Sequence, residues 1–333
     1  MSKTEPALPV GAYDADSDIV DYILGITFEI WEHQGAELIH RYYAPDSVVY
    51  GLDGVTRGAQ GVVDNTRTVL REYPDRLLLG DNVVWCGNRS EGFYSSHRIT
   101  SPMTNKGPTK YGPATGRRVH ITNIADCVVE NGVITLEWLV RDNLALVRQL
   151  GFDPLTAARV LARVRDSFSN DWLATEIHRV RQSGNGTPVS TPVSPRNDPE
   201  GFAQQVLTSL WHSGDRARLD LGYAPYAELY RSPVEFCVGR DYLLDHYAEL
   251  RAAFAEAKLT LDHVAYQPVG GGGLDIAARW SVAGNHTGQF VGADPTGKPV
   301  FILGITHWRV IADRIVKEWT VFDQLGVLSQ IVE

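Results

Sequence analysis

Apolar residues recur at helical spacing between Asp18 and Tyr43, at Ile19, Ile23, Ile26, Phe28 and Ile30, and predict a helix broken near Gln34-Gly35. Tyr43-Ala44-Pro45 stops it, Ser47–Tyr50 reads as a short strand, and Gly61–Tyr73 reads as a further helix. Strands are then predicted near Asp81–Gly87 and Phe93–Thr100. Two hairpin arms follow, Arg118–Glu130 and Val133–Asn143, around the strong turn signal Asn131-Gly132. A helical turn from Leu144 closes the set. Helices first and a mainly antiparallel sheet afterwards define an α+β unit with its helices on one face of the sheet.

The same pattern returns later in the chain. Gly112–Phe152 laid on Ala293–Glu333 is identical at 13 of 41 positions, 181 residues apart and without a gap; chance would give about one in sixteen. Asp64 meets Asp245 at the same offset. Before Gly58 and Gly239 the offset is 180, so that Trp31 meets Trp211, Tyr43 meets Tyr223 and Tyr50 meets Tyr230. The chain is thus a tandem repeat of a unit of roughly 130 residues, an ordinary domain size. The predicted division is a polar tail over 1–17, a first domain over 18–152, a connecting helix over 153–182, a Ser/Pro/Gly linker over 183–200 and a second domain over 201–333. Asp153-Pro154 supplies an acidic cap and a first-turn proline for the connecting helix, with a break expected near Ser169-Asn170. The two domains are expected to pack through their sheets as an intramolecular pseudo-dimer, with a further homodimer left open.

Composition narrows the partners. The 333 residues carry a net charge of −9 without a long Lys/Arg run, which argues against nucleic acid and anionic membranes. No apolar run reaches the length of a membrane span, and the N-terminus has no secretory pattern. Three scattered cysteines suit a reducing, cytoplasmic setting. No HxH, HExxH or CxxC spacing occurs, so no metal is expected.

A two-residue turn at Asn131-Gly132 would put Asp142, Val140, Trp138, Asn123 and Cys127 on one face of the sheet, and Glu137, Asp126 and His120 on the other. In the second unit Asp323, Trp319, Thr306 and Gly304 would share a face, with His307 and Glu318 opposite. Asp142 and Asp323 then stand at strand ends beside apolar neighbours, where desolvation raises a carboxyl pKa toward the range useful for proton transfer. The plainer reading is an Asp that caps the next helical turn. His97 lies on the apolar face of Phe93 and Ile99, and His286 lies among glycines in Asn285-His286-Thr287-Gly288.

The stretches HTGQFVGADPTGKPV and EWTVFDQLGVL, with GPATGRRV and VENGVITLEWLVRDNLALVRQLG in the first unit, resemble the SnoaL-like polyketide cyclases of the nuclear transport factor 2-like superfamily. The resemblance covers both units. It implies cone-shaped α+β domains in which helices wrap a curved antiparallel sheet around an apolar pocket. It also implies cofactor-free general acid/base chemistry on a small apolar carbonyl compound, of cyclase or isomerase type. The Asp of the W-x-x-x-D stretch would be the acid/base, a role that falls on Asp142 and Asp323, with His97, His286 and His307 as candidates for a pocket histidine. Trp31, Tyr43, Asn123 and Trp138 would line the first pocket, and Trp211, Tyr223, Thr306 and Trp319 the second. The sites are expected to differ, with Asp142 the better supplied, because His97 and Asn123 are replaced by Ala278 and Gly304 in the second unit. A non-catalytic binding module and an Asp-dependent hydrolase are the alternatives.

Overall fold

The computed structural model describes residues 18–183 and 192–332. The predicted polar tail and residues 184–191 of the predicted linker lie outside them. The first unit begins with α1 (Ile19–Thr27), capped by Asp18, whose carboxylate accepts from Asp21 N at 2.8 Å. A π-helical turn, Phe28–Glu32, carries Trp31 and is followed by the short α2 (Ile39–Tyr42). Then come β1 (Tyr43–Tyr50), β2 (Thr56–Arg57), α3 (Gly58–Glu72), β3 (Leu79–Asn88), β4 (Gly92–Thr104), β5 (Arg118–Glu130), β6 (Val133–Arg141) and α4 (Asn143–Leu150). The second unit repeats the series as α7 (Pro199–Thr208), a π-helical turn (Ser209–Ser213) with Trp211, α8 (Arg216–Gly222), β7 (Tyr223–Ser232), β8 (Glu235–Val238), α9 (Asp241–Ala253), β9 (Phe254–Val269), β10 (Gly273–His286), β11 (Pro299–Ile311), β12 (Arg314–Phe322) and α10 (Gln324–Ile331). The connection is two helices, α5 (Pro154–Val164) and α6 (Ser167–Ser183). It breaks at Arg165-Asp166, four residues earlier than expected. There Asp166 turns its carboxylate onto Ser169 N at 2.8 Å, starting a new helix in place of continuing the old one.

Each unit forms a six-stranded sheet with the same order, β2-β1-β6-β5-β4-β3 and β8-β7-β12-β11-β10-β9. The sheets are mixed: β1 runs parallel to β6, and β7 to β12, while the other pairs are antiparallel. The parallel pair corrects the antiparallel sheet that the resemblance implies. Helix α3 and the strands between β1 and β6 form the long connection that a parallel pair requires.

Both hairpin turns use two residues at positive φ, Asn131 (51°) and Gly132 (79°), then Ala312 (48°) and Asp313 (59°). That is the primed turn whose twist suits a hairpin. One bulge then decides the faces. Val129 pairs with Ile134, but Val128 pairs with Leu136, so Asp126 opposes Trp138 and Cys127 opposes Glu137. The second unit slips at the same place, between Arg309 and Val310, and Thr306 opposes Thr320 while Trp308 opposes Glu318. Since side chains alternate, one extra residue moves a whole strand to the other face. Trp138 and Trp319 therefore leave the faces expected of them, and Glu137 and Glu318 take their place.

The released tryptophans meet the partner unit. Arg279 lies over Trp138 at 3.5 Å, and its repeat counterpart Arg98 lies over Trp319 at 3.7 Å. The contact is isologous, as a two-fold interface must be. Around it Ser96 Oγ meets His307 Nε2 at 2.8 Å, Asn82 donates to Asp275 at 3.0 Å, and Gln267 donates to the Trp85 carbonyl at 2.8 Å. Arg279 answers the buried Asp126 at 3.9 Å. The repeat is thus an intramolecular pseudo-dimer packed sheet to sheet. Helix α6 lies against the second unit, where Arg179 pairs with Asp262 at 3.0 Å. A chain cut within residues 184–191 should keep its two fragments together on a sizing column, because the interface buries aromatic and charged groups that solvent would have to rehydrate. Fragments that elute as separate folded monomers would refute the sheet-to-sheet pairing as the source of cohesion.

Candidate functional site

The first unit encloses a cavity of about 130 Å³ between α1, α3 and the inner face of its sheet. Its walls are mostly apolar, from Ile23, Ile26, Ile30, Val62 and Ile99. Trp31, Tyr43, His97 and Asn123 are among its walls, with Glu137, Arg76, Arg141 and Cys127. Glu137 is buried, and the Tyr43 hydroxyl donates to it at 2.7 Å. Burial raises its carboxyl pKa, and the Tyr43 hydrogen bond and Arg141 offset this only partly. Burial, with help from Arg98, pushes His97 down to about 3, so it is a neutral imidazole near pH 7. His97 Nε2 and both amide atoms of Asn123 are buried without a protein partner. Buried polar atoms are normally paired; these three are left with free hydrogen-bonding capacity on one apolar cavity.

In the second unit the equivalent space is filled. Ile99 is replaced by Trp280, Cys127 by Trp308, Thr66 by Tyr247 and Arg141 by Phe322. Trp280 has no exposed surface, packs against Trp211 with ring centroids 5.5 Å apart, and donates from Nε1 to Thr306 at 3.0 Å. Gly304 is what lets it in, because a Cβ there would stand 2.1 Å from the Trp280 ring; the first unit has Asn123 at that position. Glu318, the counterpart of Glu137, is fully engaged. Arg231 pairs with it at 2.8 Å, Trp308 Nε1 donates at 2.8 Å, Thr320 at 2.9 Å, and the Tyr223 hydroxyl donates as well. These partners, Arg231 foremost, outweigh burial and lower its pKa. The first unit has Gly51 where Arg231 stands. Trp211, Tyr223 and Thr306 are accordingly core residues of the second unit.

Asp142 and Asp323 are not among the cavity's walls. Each caps the helix that follows its strand, Asp142 accepting from Ala145 N at 3.1 Å and Asp323 from Gly326 N at 3.0 Å. Asn143 of the first unit also donates to Asp323 at 2.8 Å, so the two carboxylates sit near one another at the junction of the units. Burial raises Asp142 to about 7, with the Asp323 charge adding to it, and raises Asp323 to about 6, with Asp53 adding. Both folded pKa values exceed the unfolded value, so their contribution to stability is whole below about pH 4 and is lost as pH rises through 6 and 7. Asp142→Asn keeps the cap acceptor and removes the charge. It should raise the melting temperature at pH 8 by several degrees, an effect of order 1–3 kcal/mol, and change little at pH 4.5. An equal loss of stability at both pH values would contradict a penalised charge.

His286 holds its own loop, with Nδ1 3.1 Å from Thr296 Oγ1, and its counterpart Asn105 accepts from Thr115 N at 2.8 Å in the same manner. His307 lies at the interface. Neither reaches the cavity. Sequence reasoning missed Glu137 because turn counting without the bulge put it on the far face; its identity with Glu318 across the repeat was the available signal. It missed Arg76 because Ala257 stands opposite it in the repeat.

The family described as SnoaL-like polyketide cyclase matches residues 23–150 and again 202–331. The chain therefore belongs to the SnoaL-like polyketide cyclase family of the nuclear transport factor 2-like superfamily, with two such domains in tandem. Among solved structures it is similar to TsrD from Streptomyces laurentii, at 24% identity and a TM-score of 0.36 over 40% of this chain and 94% of that one. It is also similar to IdmH, a putative polyketide cyclase from Streptomyces antibioticus, at 23% identity and a TM-score of 0.35 over 40% and 97% of the two chains. A putative SnoaL-like polyketide cyclase from Jannaschia sp. CCS1 is similar at 17% identity and a TM-score of 0.36 over 43% and 96%. No curated protein matches the chain in sequence. Among the described residues no helix is long and apolar enough to cross a membrane, and no group of three or more His, Cys, Asp or Glu side chains is placed to hold a metal.

Proposed function

We propose that the first unit is a cone-shaped pocket for a small, largely apolar carbonyl compound, and that Glu137 moves a proton on it in the manner of a cyclase or isomerase. The observation that carries this reading is the open cavity with Glu137, His97 and Asn123 on its walls, set against the filled equivalent in the second unit. A desolvated carboxylate with a single hydrogen-bond donor is a competent general base near neutral pH. The Asn123 amide and the neutral His97 offer donors to the oxygen on which enolate charge would develop. The second unit serves as a solid support for the sheet that presents Glu137. A test is the exchange of the α-protons of phenylacetone into D2O, followed by NMR in the presence of the protein and of Glu137→Gln. Catalysed exchange that depends on Glu137 supports the reading; no exchange, or equal exchange by both proteins, rejects it.

The second reading is a non-catalytic binding module. It is favoured by one observation, that the Asp of each W-x-x-x-D stretch is a helix cap away from the cavity. Tight binding of neutral ligands without proton exchange would select it.

A further inference from the structure

The apolar cavity adjoins a second, more polar one of about 460 Å³, and Arg76, Arg141, Leu139 and Val69 belong to the walls of both. The outer chamber is closed on one side by the elbow between α5 and α6. Ser169 there accepts from Val55 N at 2.9 Å, and Arg165 donates to the Leu52 carbonyl at 3.1 Å. The two chambers together resemble a small socket with a polar vestibule.

Arg76 stands where they meet. It is only 7% exposed, its Nε donates to Ser101 Oγ at 2.9 Å, and its guanidinium lies 4.5 Å from the Trp31 ring centroid. Among the described residues no carboxylate lies within ion-pairing distance of it. The acid that might have served, Asp53, is taken by Arg141 at 3.1 Å and Lys110 at 3.6 Å. Glu72 is on the vestibule wall, but burial pushes it toward its neutral form. Burial and the charge of Arg141 draw Arg76 itself down to about 9, so it remains a cation at neutral pH in surroundings that penalise it. Buried charges are ordinarily paired, and a lone one is tolerated where something else supplies the counter-charge. The repeat sharpens the point. The filled second unit has Ala257 in place of Arg76. The buried cation at this position thus stands beside the open cavity and has no counterpart at the equivalent position of the filled one.

We propose that the ligand of the first unit is a small carboxylic acid: an apolar ring or chain of roughly benzene size in the inner cavity, with its carboxylate received by Arg76, beside Arg141, at the neck between the chambers. The planar fork of a guanidinium matches the two oxygens of a carboxylate, which a neutral amide or ester of equal shape does not reproduce. This inference rests on the cavity being a ligand site, as proposed above, and narrows its ligand from carbonyl compounds at large to those that carry an acid.

Calorimetric titration of the full chain with phenylacetate, phenylacetamide and indole tests it. The expected result is that phenylacetate binds about tenfold or more tightly than phenylacetamide. In Arg76→Gln that preference should vanish while indole still binds, and in Arg76→Lys it should be partly kept. Equal affinity for acid and amide in the wild-type protein, with both binding, would overturn the acid preference and leave the cavity reading standing. No binding of any of the three at millimolar concentration would overturn both. A preference that survives Arg76→Gln would assign the carboxylate to another group and overturn the proposal as stated. Should Arg76→Gln fail to fold by circular dichroism, the wild-type comparison and Arg76→Lys decide the matter.

Discussion

Glu137→Gln should lower protein-catalysed α-proton exchange by about 10²–10⁴, the usual contribution of a general acid/base group, while Asp142→Asn leaves it within about twofold. The contrast follows from position. Glu137 lines the cavity and has the Tyr43 hydroxyl as its side-chain partner. Asp142 is spent on the first turn of α4, on the side where the two units meet. The amide in Glu137→Gln keeps the size of the side chain and can still accept from Tyr43, so the fold should hold and the melting temperature should rise or stay level at pH 8. A raised carboxyl pKa means that the charge is penalised in the folded state, and its removal relieves that penalty. Lost exchange with intact stability is therefore the signature to look for. A large loss from Asp142→Asn with none from Glu137→Gln would return the acid/base role to the W-x-x-x-D aspartate.

Trp280→Ala should destabilise the protein by about 3–5 kcal/mol, the range for truncating a large buried aromatic. Trp280 is fully buried against Trp211 and Phe322, and its loss leaves a void over Gly304. The void should bind indole, and added indole should then raise the melting temperature of the variant through the second unit. The converse experiment closes the first unit. Ile99→Trp combined with Asn123→Gly recreates the pair Trp280 and Gly304 at the equivalent positions, and should abolish ligand binding without unfolding the chain. The glycine is needed because a side chain at 123 would occupy the space of the new ring. Calorimetry and thermal unfolding on the two variants check both halves. If the double variant still binds, the cavity described here is not the binding site.

The two units show how a duplicated domain divides its work. At the interface the repeat is kept: Arg98 on Trp319 mirrors Arg279 on Trp138. One exchange breaks the mirror, since Asp126 meets the cation Arg279 whereas its counterpart His307 meets the neutral Ser96. Burial and the nearby Arg98 keep His307 uncharged, so this pair of equivalent positions brings one buried carboxylate to the interface instead of two. In the cavities the repeat is abandoned, with tryptophans in one unit and space in the other. Packing explains the difference in fate. A sheet contact must match its partner residue by residue, whereas a pocket with no ligand to hold gains stability by filling with apolar side chains.

The sequence alone determined the repeat, the order of helices and strands, the caps and the turns. These are local properties: Asp18, Asp153 and Asp198 each accept from an amide three residues on, and Asn131-Gly132 reads as a hairpin because glycine and asparagine tolerate positive φ. Family membership was legible for a similar reason, since it rests on contiguous stretches. What the tertiary structure decided was direction and space. A single bulge at Val128-Val129 turned Trp138 to the interface and Glu137 to the cavity, and no periodicity announces where a strand gains one residue. The parallel pairing of β1 with β6 joins segments some ninety residues apart, beyond the reach of any turn signal. That one cavity is open and the other filled depends on side chains from several elements meeting at one point, Trp280 above Gly304 in one unit and Ile99 beside Asn123 in the other. Arg76 could not be called unpaired until the fold had committed Asp53 to Arg141 and Lys110, because whether a charge has a partner is a property of distance in space and not of spacing along the chain.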